Sequence, residues 1–377
     1  MTSSPAAAKT GPLAGLRVVE LGGIGPGPFA GMLLADQGAD VIRVDRPAEA
    51  GRASAHPVLH RGRRSVVLDL KDPADVEAVL RIVDRADALI EGFRPGVVER
   101  LGLGPEDCLI RNPRLVYGRM TGWGQDGPLA QAPGHDINYI AVAGALGMLG
   151  AEGEIPPVPL NLFGDMGGGG LLLAFGITTA LTHASRTGLG QVVDAAMTDG
   201  TAVQLALIHG LLATGRWAGR RGANLFDGGA PFYRCYRTAD GGHMAVGSVE
   251  PPFYAELLDV LGLSEDPLFA RQHDRDAWPR MADVLATVFA GRTRAEWTAA
   301  FEGREACVTP VHGLTDAAAH PHNVARGTYY TENGLLQPAP APRFAGTPAG
   351  TPLPAPAIGA HTAEVLAEVG LPAREGS

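Results

Sequence analysis

Gly134-His135-Asp136-Ile137-Asn138-Tyr139 sets an imidazole, a carboxylate, a carboxamide and a phenol side by side. His changes charge near neutral pH, so a polar knot of this density is a candidate for proton transfer. A lone His is more often structural, and here its neighbours carry the functional reading. Asn161-Leu162-Phe163-Gly164-Asp165 precedes the run Gly167–Gly170 and a long apolar stretch. Asp165 reads either as a plain helix cap or as a working carboxylate beside backbone N–H groups that the glycines open to an anion. Such N–H groups can hold a thioester enolate or a tetrahedral oxyanion. Glu250-Pro251-Pro252 places an acid at a strand end, where it can cap the next helix.

The cations Arg43, Arg46, Arg52, Arg61, Arg63, Arg64 and Lys71 crowd into one short region. The chain has 31 Lys+Arg against 40 Asp+Glu, a formal charge of -9, so a local cluster is the place to hold an anionic ligand. Guanidinium groups grip phosphate oxygens in a fork, although a solvated loop would look the same. Arg46 is the sharpest candidate, just past a strand end where open α/β sheets bind ligands. Gly23-Ile24-Gly25-Pro26-Gly27-Pro28 and Asp45 resemble a dinucleotide fingerprint. The spacing is G-x-G-x-G, however, and two prolines remove N–H donors, so a tight strand-to-helix turn is the better reading. Gly188–Asp194 reads as a structural turn into a strand.

These residues need a frame. Leu16–Leu21, Val41–Asp45, Ser65–Leu70, Ala88–Ile90 and Leu115–Tyr117 have strand character. Phe29–Gln37 and a segment opened by Asp72-Pro73 have helical character, and the alternation predicts a parallel α/β sheet. Residues 166–186 and 195–220 read as apolar, charge-poor helices that must be buried or covered by another subunit. Phe232–Arg237 and His243–Val249 flank a hairpin turn, and helical patterns follow over 252–262, 276–290 and 294–302. That is a smaller α+β domain. A Pro/Ala-rich arm begins near residue 335, and a short helix, Thr362–Val369, ends the chain.

The chain is not disordered by composition: 45% of residues are hydrophobic and 19% charged. Three scattered cysteines and no clustered His or Cys argue against disulfides or a metal centre. Met1–Thr10 has no apolar signal core, and Leu171–Leu181 is too short to span a bilayer. The expected setting is the cytoplasm, with neither nucleic acid nor membrane as partner.

Eight ordered blocks, followed by the terminal arm PRFAGTP…GAHTAEVLAEVG, carry a resemblance from Gly11 to Gly370. They are GPLAGLRVVELGGIGPGPFAGMLLADQGADVIRVDRP, LIEGFRPGVVERLGLG, GRMTGWGQDGP, GHDINYIA, NLFGDMGGG, GLGQVVDAAMTDG, RGANLFDGGAPFY and VGSVEPPFY. Together they resemble the family III CoA-transferases, in their α-methylacyl-CoA racemase branch. The resemblance implies a large Rossmann-like α/β domain completed by the C-terminal segment, a small α+β domain, and an interlocked homodimer. Its boundaries would be 1–196 for the large domain, 197–230 and 316–338 for linkers, 231–315 for the small domain and 339–377 for the returning segment. It implies an acyl-CoA substrate, with CoA brought by the substrate and no separate cofactor. Arg46 matches the family arginine at the adenosine phosphate. Leu68, Asp69, Leu70 and Lys71 match the adenine and ribose segment, and Gly92, Phe93, Arg94 and Arg100 a second CoA-contacting stretch. Phe93 keeps a stacking face where close relatives commonly have Tyr. Gly134, Asp136, Ile137, Asn138 and Tyr139 match the block around the thioester, with the Asp136 N–H or the glycine turn at the enolate oxygen. His135 matches the base on one face of the α-carbon, Asp165 its partner on the other, and Glu250 a carboxylate orienting His135. A CoA-transferase using Asp165 as nucleophile is the alternative. The family's methionine-rich acyl surface is thin here: residues 200–213 are largely aliphatic, and only Met166 and Met197 lie nearby, which points to a narrower acyl range.

Overall fold

The computed structural model describes residues 9–372. Six strands, β1 (Arg17–Leu21), β2 (Asp40–Asp45), β3 (Arg64–Val67), β4 (Ala88–Glu91), β5 (Val116–Thr121) and β6 (Gln191–Ala196), form one sheet in the order β3-β2-β1-β4-β5-β6. Every pairing is parallel. Parallel strands need crossover connections, which cover both faces and bury them. Val18, Val19, Val41, Ile42, Leu89 and Val116 are accordingly almost completely buried. Helices Pro26–Asp36 and Leu172–Thr187 pack Ala30, Leu34, Leu173 and Ile177 on one face. Helices Pro73–Val83 and Thr362–Glu368 pack Val79, Ile82, Val365 and Leu366 on the other. The strand order reverses between β1 and β4, which opens a crevice at their carboxyl ends.

The expected Asp72-Pro73 helix start is present: the Asp72 side chain accepts the Ala74 N–H at 2.8 Å. The third strand is shorter than expected. It stops at Val67 because the chain turns there, and the Asp75 carboxylate accepts the Asp69 N–H at 2.8 Å. The charge-poor stretch 195–220 is not one helix. Residues up to Ala196 pair with β5, helix Met197–Gln204 follows, and Ala206–Ala213 is separate. The long apolar helix starts earlier than expected: it winds as a π-helix over Leu162–Leu171 and continues as an α-helix to Thr187. Its 26 residues, at a mean hydropathy of 1.2, are long and apolar enough to cross a membrane by length and composition. Yet Leu173, Ala174, Ile177 and Ala180 belong to the sheet's core, so we read a core helix. Its glycines serve close packing. A Cβ on Gly200 would sit 1.9 Å from the Gly168 carbonyl oxygen.

Within the described residues the chain divides into two units. The first contains the sheet, residues Pro159–Gln204 and the chain from Gly327 onward. Strands β10 (Tyr329–Glu332) and β11 (Leu335–Pro338) form an antiparallel pair, and the returning segment closes the β3 edge. There Gly62 N–H donates to Leu353 O at 2.8 Å and Val67 N–H to the Thr362 hydroxyl at 3.0 Å. The second unit contains Gly144–Val158 and Leu205–Arg326. Its antiparallel strands β7 (Tyr233–Arg237), β8 (His243–Gly247) and β9 (Val308–Pro310) share an aromatic core of Phe232, Tyr236, Phe289, Trp297 and Phe301 with three helices, Pro251–Leu261, Trp278–Phe289 and Arg294–Phe301.

Candidate active site

Two clefts open at the carboxyl ends of the parallel strands. The first, about 680 Å³, is lined by Gly25, Trp123, His135, Tyr139 and Asp165 among others. His135 is the N-cap of helix Asp136–Val142. Its N–H donates to Asn138 Oδ1 at 3.0 Å, and its carbonyl accepts the N–H of Asn138 at 2.8 Å. The backbone is thereby fixed while the imidazole stays exposed. Tyr139 is buried, donates its hydroxyl to Gly134 O, and meets Trp123 edge-on with ring centroids 4.8 Å apart. Gly122 and Gly134 leave room for that ring: a Cβ on either would come within 2.1 Å and 2.7 Å of it, respectively.

Asp165 lies on the first turn of the π-helix, half-buried. Asn161 Nδ2 donates to its Oδ2 at 3.1 Å. A Cβ on Gly25 would stand 3.5 Å from the same oxygen, so the Gly-Pro turn after β1 faces this carboxyl. Burial raises the Asp165 pKa above the ordinary aspartate value, the Asn161 hydrogen bond opposes this, neighbouring Asp136 raises it further and His135 lowers it. Asp136 itself is buried, and its Oδ2 accepts the N–H groups of Gly164 and Asp165, both at 2.7 Å. Ile137 and Asn138 are exposed, and Asn138 spends its side-chain oxygen on the His135 cap.

The second cleft, about 910 Å³, is lined by Arg46, Arg52, His56, Leu68, Asp69 and Lys71, with Leu70 beside them. The cation cluster divides here. Arg61 is buried against Asp36 at 2.6 Å, Arg63 against Glu20 at 2.8 Å, Arg43 against Asp45 at 2.8 Å, and Arg64 pairs with Asp40 and Glu368. These four are structural. Among the described residues, Arg46, Arg52 and Lys71 have no carboxylate partner, so their charge is free for an anion.

Phe93 lines both clefts, with Gly92 and Arg94 on the first. The turn that carries them rests on Glu91, a fully buried carboxylate that sequence reading did not single out. Glu91 accepts the Phe93 N–H at 2.7 Å and Arg119 Nε at 2.9 Å, and Arg119 reaches Glu99 at 2.9 Å. Arg100 is exposed and lines neither cleft. Glu250 belongs to the second unit. It occupies the N-cap of Pro251–Leu261 as expected, its carbonyl accepting the Tyr254 N–H at 3.0 Å, but its side chain makes no capping hydrogen bond. Among the described residues, no three His, Cys, Asp or Glu side chains gather as a metal-binding set.

The chain is 48% identical over 368 residues to a human protein named alpha-methylacyl-CoA racemase, covering 96% of this chain and 94% of that one. A mouse protein of the same name is 47% identical over 368 residues, with the same coverage. The solved structure of a CAIB/BAIF family protein from Brucella suis is similar at a TM-score of 0.81 and 28% identity, covering 96% of this chain and all of that one. The sequence model of CoA-transferase family III matches residues 13–362. A parallel sheet with an imidazole and a raised carboxyl on one cleft is thus joined to a family-wide match, and the chain belongs to CoA-transferase family III.

Proposed function

We propose that this chain is an α-methylacyl-CoA racemase: it inverts the α-methyl centre of 2-methylacyl-CoA thioesters by two-base proton transfer through an enolate. The observation that carries the reading is that His135 and Asp165 line one cleft. A thioester acidifies its α-proton because the enolate spreads charge onto oxygen. Inversion then needs a base on one face and an acid on the other, with the roles exchanged in the reverse direction. The raised Asp165 carboxyl suits a group that must carry a proton in one half-reaction. The Asp136 N–H, at the start of its helix, holds the enolate oxygen.

CoA enters as part of the substrate, and no separate cofactor is called for. Its adenosine phosphate meets Arg46, its adenine and ribose Leu68, Asp69, Leu70 and Lys71, and its remainder the turn of Gly92, Phe93 and Arg94. Arg100 and Glu250 belong to the same reading by family position, with Glu250 orienting His135 from the small domain of a second subunit. An interlocked homodimer is supported by apolar side chains left in the open on each unit, among them Phe175 at 66% and Val203 at 65% exposure, and Leu207 at 60%. Sparse free cysteines fit a cytoplasmic setting.

The test is isotope exchange. The purified protein should wash deuterium into the α-carbon of a 2-methylacyl-CoA in heavy water with no acceptor acid present. His135→Ala and Asp165→Ala should each abolish inversion and leave CoA affinity nearly intact. Exchange that appears only when a second carboxylic acid is added would establish the alternative, CoA transfer with Asp165 as nucleophile. CoA binding without any exchange would leave a non-catalytic binding protein.

A further inference from the structure

We propose that the Asp136 side chain is a positioning residue: it ties the backbone carrying His135 to the backbone carrying Asp165 and so sets the gap across which the proton is moved. The proposal rests on the racemase reading. Asp136 directly follows His135 and is the first residue of the helix that His135 caps. Its carboxylate does not serve that helix. Oδ2 instead accepts the N–H groups of Gly164 and Asp165, both at 2.7 Å, from the first turn of the π-helix. Those N–H groups lie at a helix start, where no carbonyl of the same helix precedes them. A single buried carboxylate, 6% exposed, thereby satisfies two donors and joins two elements. Hydrogen bonds to an ionised acceptor are about twice as strong as neutral ones, which suits a fixed spacer.

The local sequence is built around this contact. A Cβ on Gly164 would lie 2.7 Å from Asp136 Oδ2, so glycine permits the approach. The same charge acts on the proton handler. Burial and the Asp136 charge both raise the Asp165 pKa, while the Asn161 hydrogen bond and the His135 charge oppose them. Tyr139, the other titratable group coupled to Asp165, is itself raised above its ordinary value by burial and by the Asp165 charge. A clamp that is also anionic keeps the carboxyl able to donate a proton.

Asp136→Asn and Asp136→Ala separate the two effects. Asparagine keeps an oxygen that can accept both N–H groups and removes the charge, whereas alanine removes both. Amide hydrogen exchange at Gly164 and Asp165 reads the clamp without reference to activity. Solvent exchange of the substrate α-proton, kcat, KM and the pH profile read its consequence. A displacement of about 1 Å in a reacting group can cost about 100-fold in rate. Asp136→Ala should lose protection at both amides and about 100-fold in kcat, with KM within about threefold of wild type. Asp136→Asn should keep amide protection, stay within about tenfold in kcat, and move the pH limb set by Asp165 to lower pH. Wild-type turnover in Asp136→Ala would overturn the proposal. So would a loss in Asp136→Asn equal to that of Asp136→Ala with an unmoved limb. If the wild-type protein exchanges no α-proton, the racemase reading fails, and the amide protection still decides whether the clamp exists.

Discussion

Arg46 and Arg61 look alike in the sequence, and their removal should fail in opposite ways. Arg61 donates to both oxygens of Asp36 at 3.0 and 2.6 Å, to Gln337 Oε1 at 3.1 Å and to Pro338 O at 2.7 Å. Both members of the ion pair have side chains 2% exposed. Arg61→Ala leaves a buried carboxylate with no cation, a change that costs about 3–5 kcal/mol. Burial already pushes the Asp36 pKa up, so this carboxyl can escape by taking a proton, which holds the loss toward the lower end. Losing the contacts to Gln337 and Pro338 adds about 1 kcal/mol each and loosens the returning C-terminal segment. Arg46 has no such partners and is exposed on the second cleft. Arg46→Ala should therefore change stability by no more than about 0.5 kcal/mol. It should lose a charge-assisted contact to phosphate of about 1.5–3 kcal/mol, or roughly 10- to 150-fold in Kd. Urea denaturation of both variants, and calorimetric binding of CoA and 3′-dephospho-CoA, make the comparison. The phosphate assignment requires Arg46→Ala to match wild type for the dephosphorylated ligand while losing affinity for CoA. Wild-type CoA affinity in Arg46→Ala, or a wild-type urea midpoint in Arg61→Ala, would refute the division of the cluster.

Two further predictions concern buried groups behind the clefts. Glu91→Gln removes the charge facing Arg119 and weakens the support of the Phe93 N–H, so KM for the acyl-CoA should rise about tenfold with kcat nearly unchanged; an unchanged KM in steady-state kinetics would deny that the turn depends on it. His60 is held neutral, its pKa lowered to about 3 by burial foremost and then by Arg43, Arg63 and His56. The unfolded chain gains this proton near the ordinary value of 6.5 and the folded chain does not, so stability is full above that pH and falls between 6.5 and 3. The contribution is at most about 1.4 kcal/mol per pH unit. Urea denaturation from pH 7 to 4 should show a shallower slope for His60→Asn than for wild type, and equal slopes would contradict a buried neutral imidazole.

Much of the frame was legible because it rests on local patterns. Strand runs alternate with helix runs, and Asp72-Pro73 announces a helix through chemistry confined to three residues. The cation cluster was not legible in the same way. Asp36 lies 25 positions from Arg61 and Gln337 lies 276 positions away, so no local pattern could say that this guanidinium is already occupied. The glycine run was half legible. Its openness was visible, but what approaches Gly168 is a second helix rather than a ligand. The two residues of the proposed proton transfer were legible as residue types; that His135 and Asp165 line a common cleft is a property of the fold.

The fold also explains why a dinucleotide-like signature fails in this chain. The strand order β3-β2-β1-β4-β5-β6 is that of dinucleotide-binding sheets, with a glycine turn after β1 and an acid at the end of β2. In such sheets that acid must be free to bind a ribose. Here Asp45 is buried, paired with Arg43 at 2.8 Å and accepting the Ser65 hydroxyl at 2.6 Å. The glycine turn is also committed elsewhere. Gly25, at φ 70°, caps a helix with prolines in its first turn and faces Asp165 rather than presenting a row of N–H donors. The crevice therefore keeps the geometry of an open α/β site and loses the two contacts that would recognise a dinucleotide. What remains at its mouth is a carboxyl and an imidazole lining one cleft, with cations that have no carboxylate partner among the described residues on the neighbouring one, and on that pair the proposed proton transfer rests.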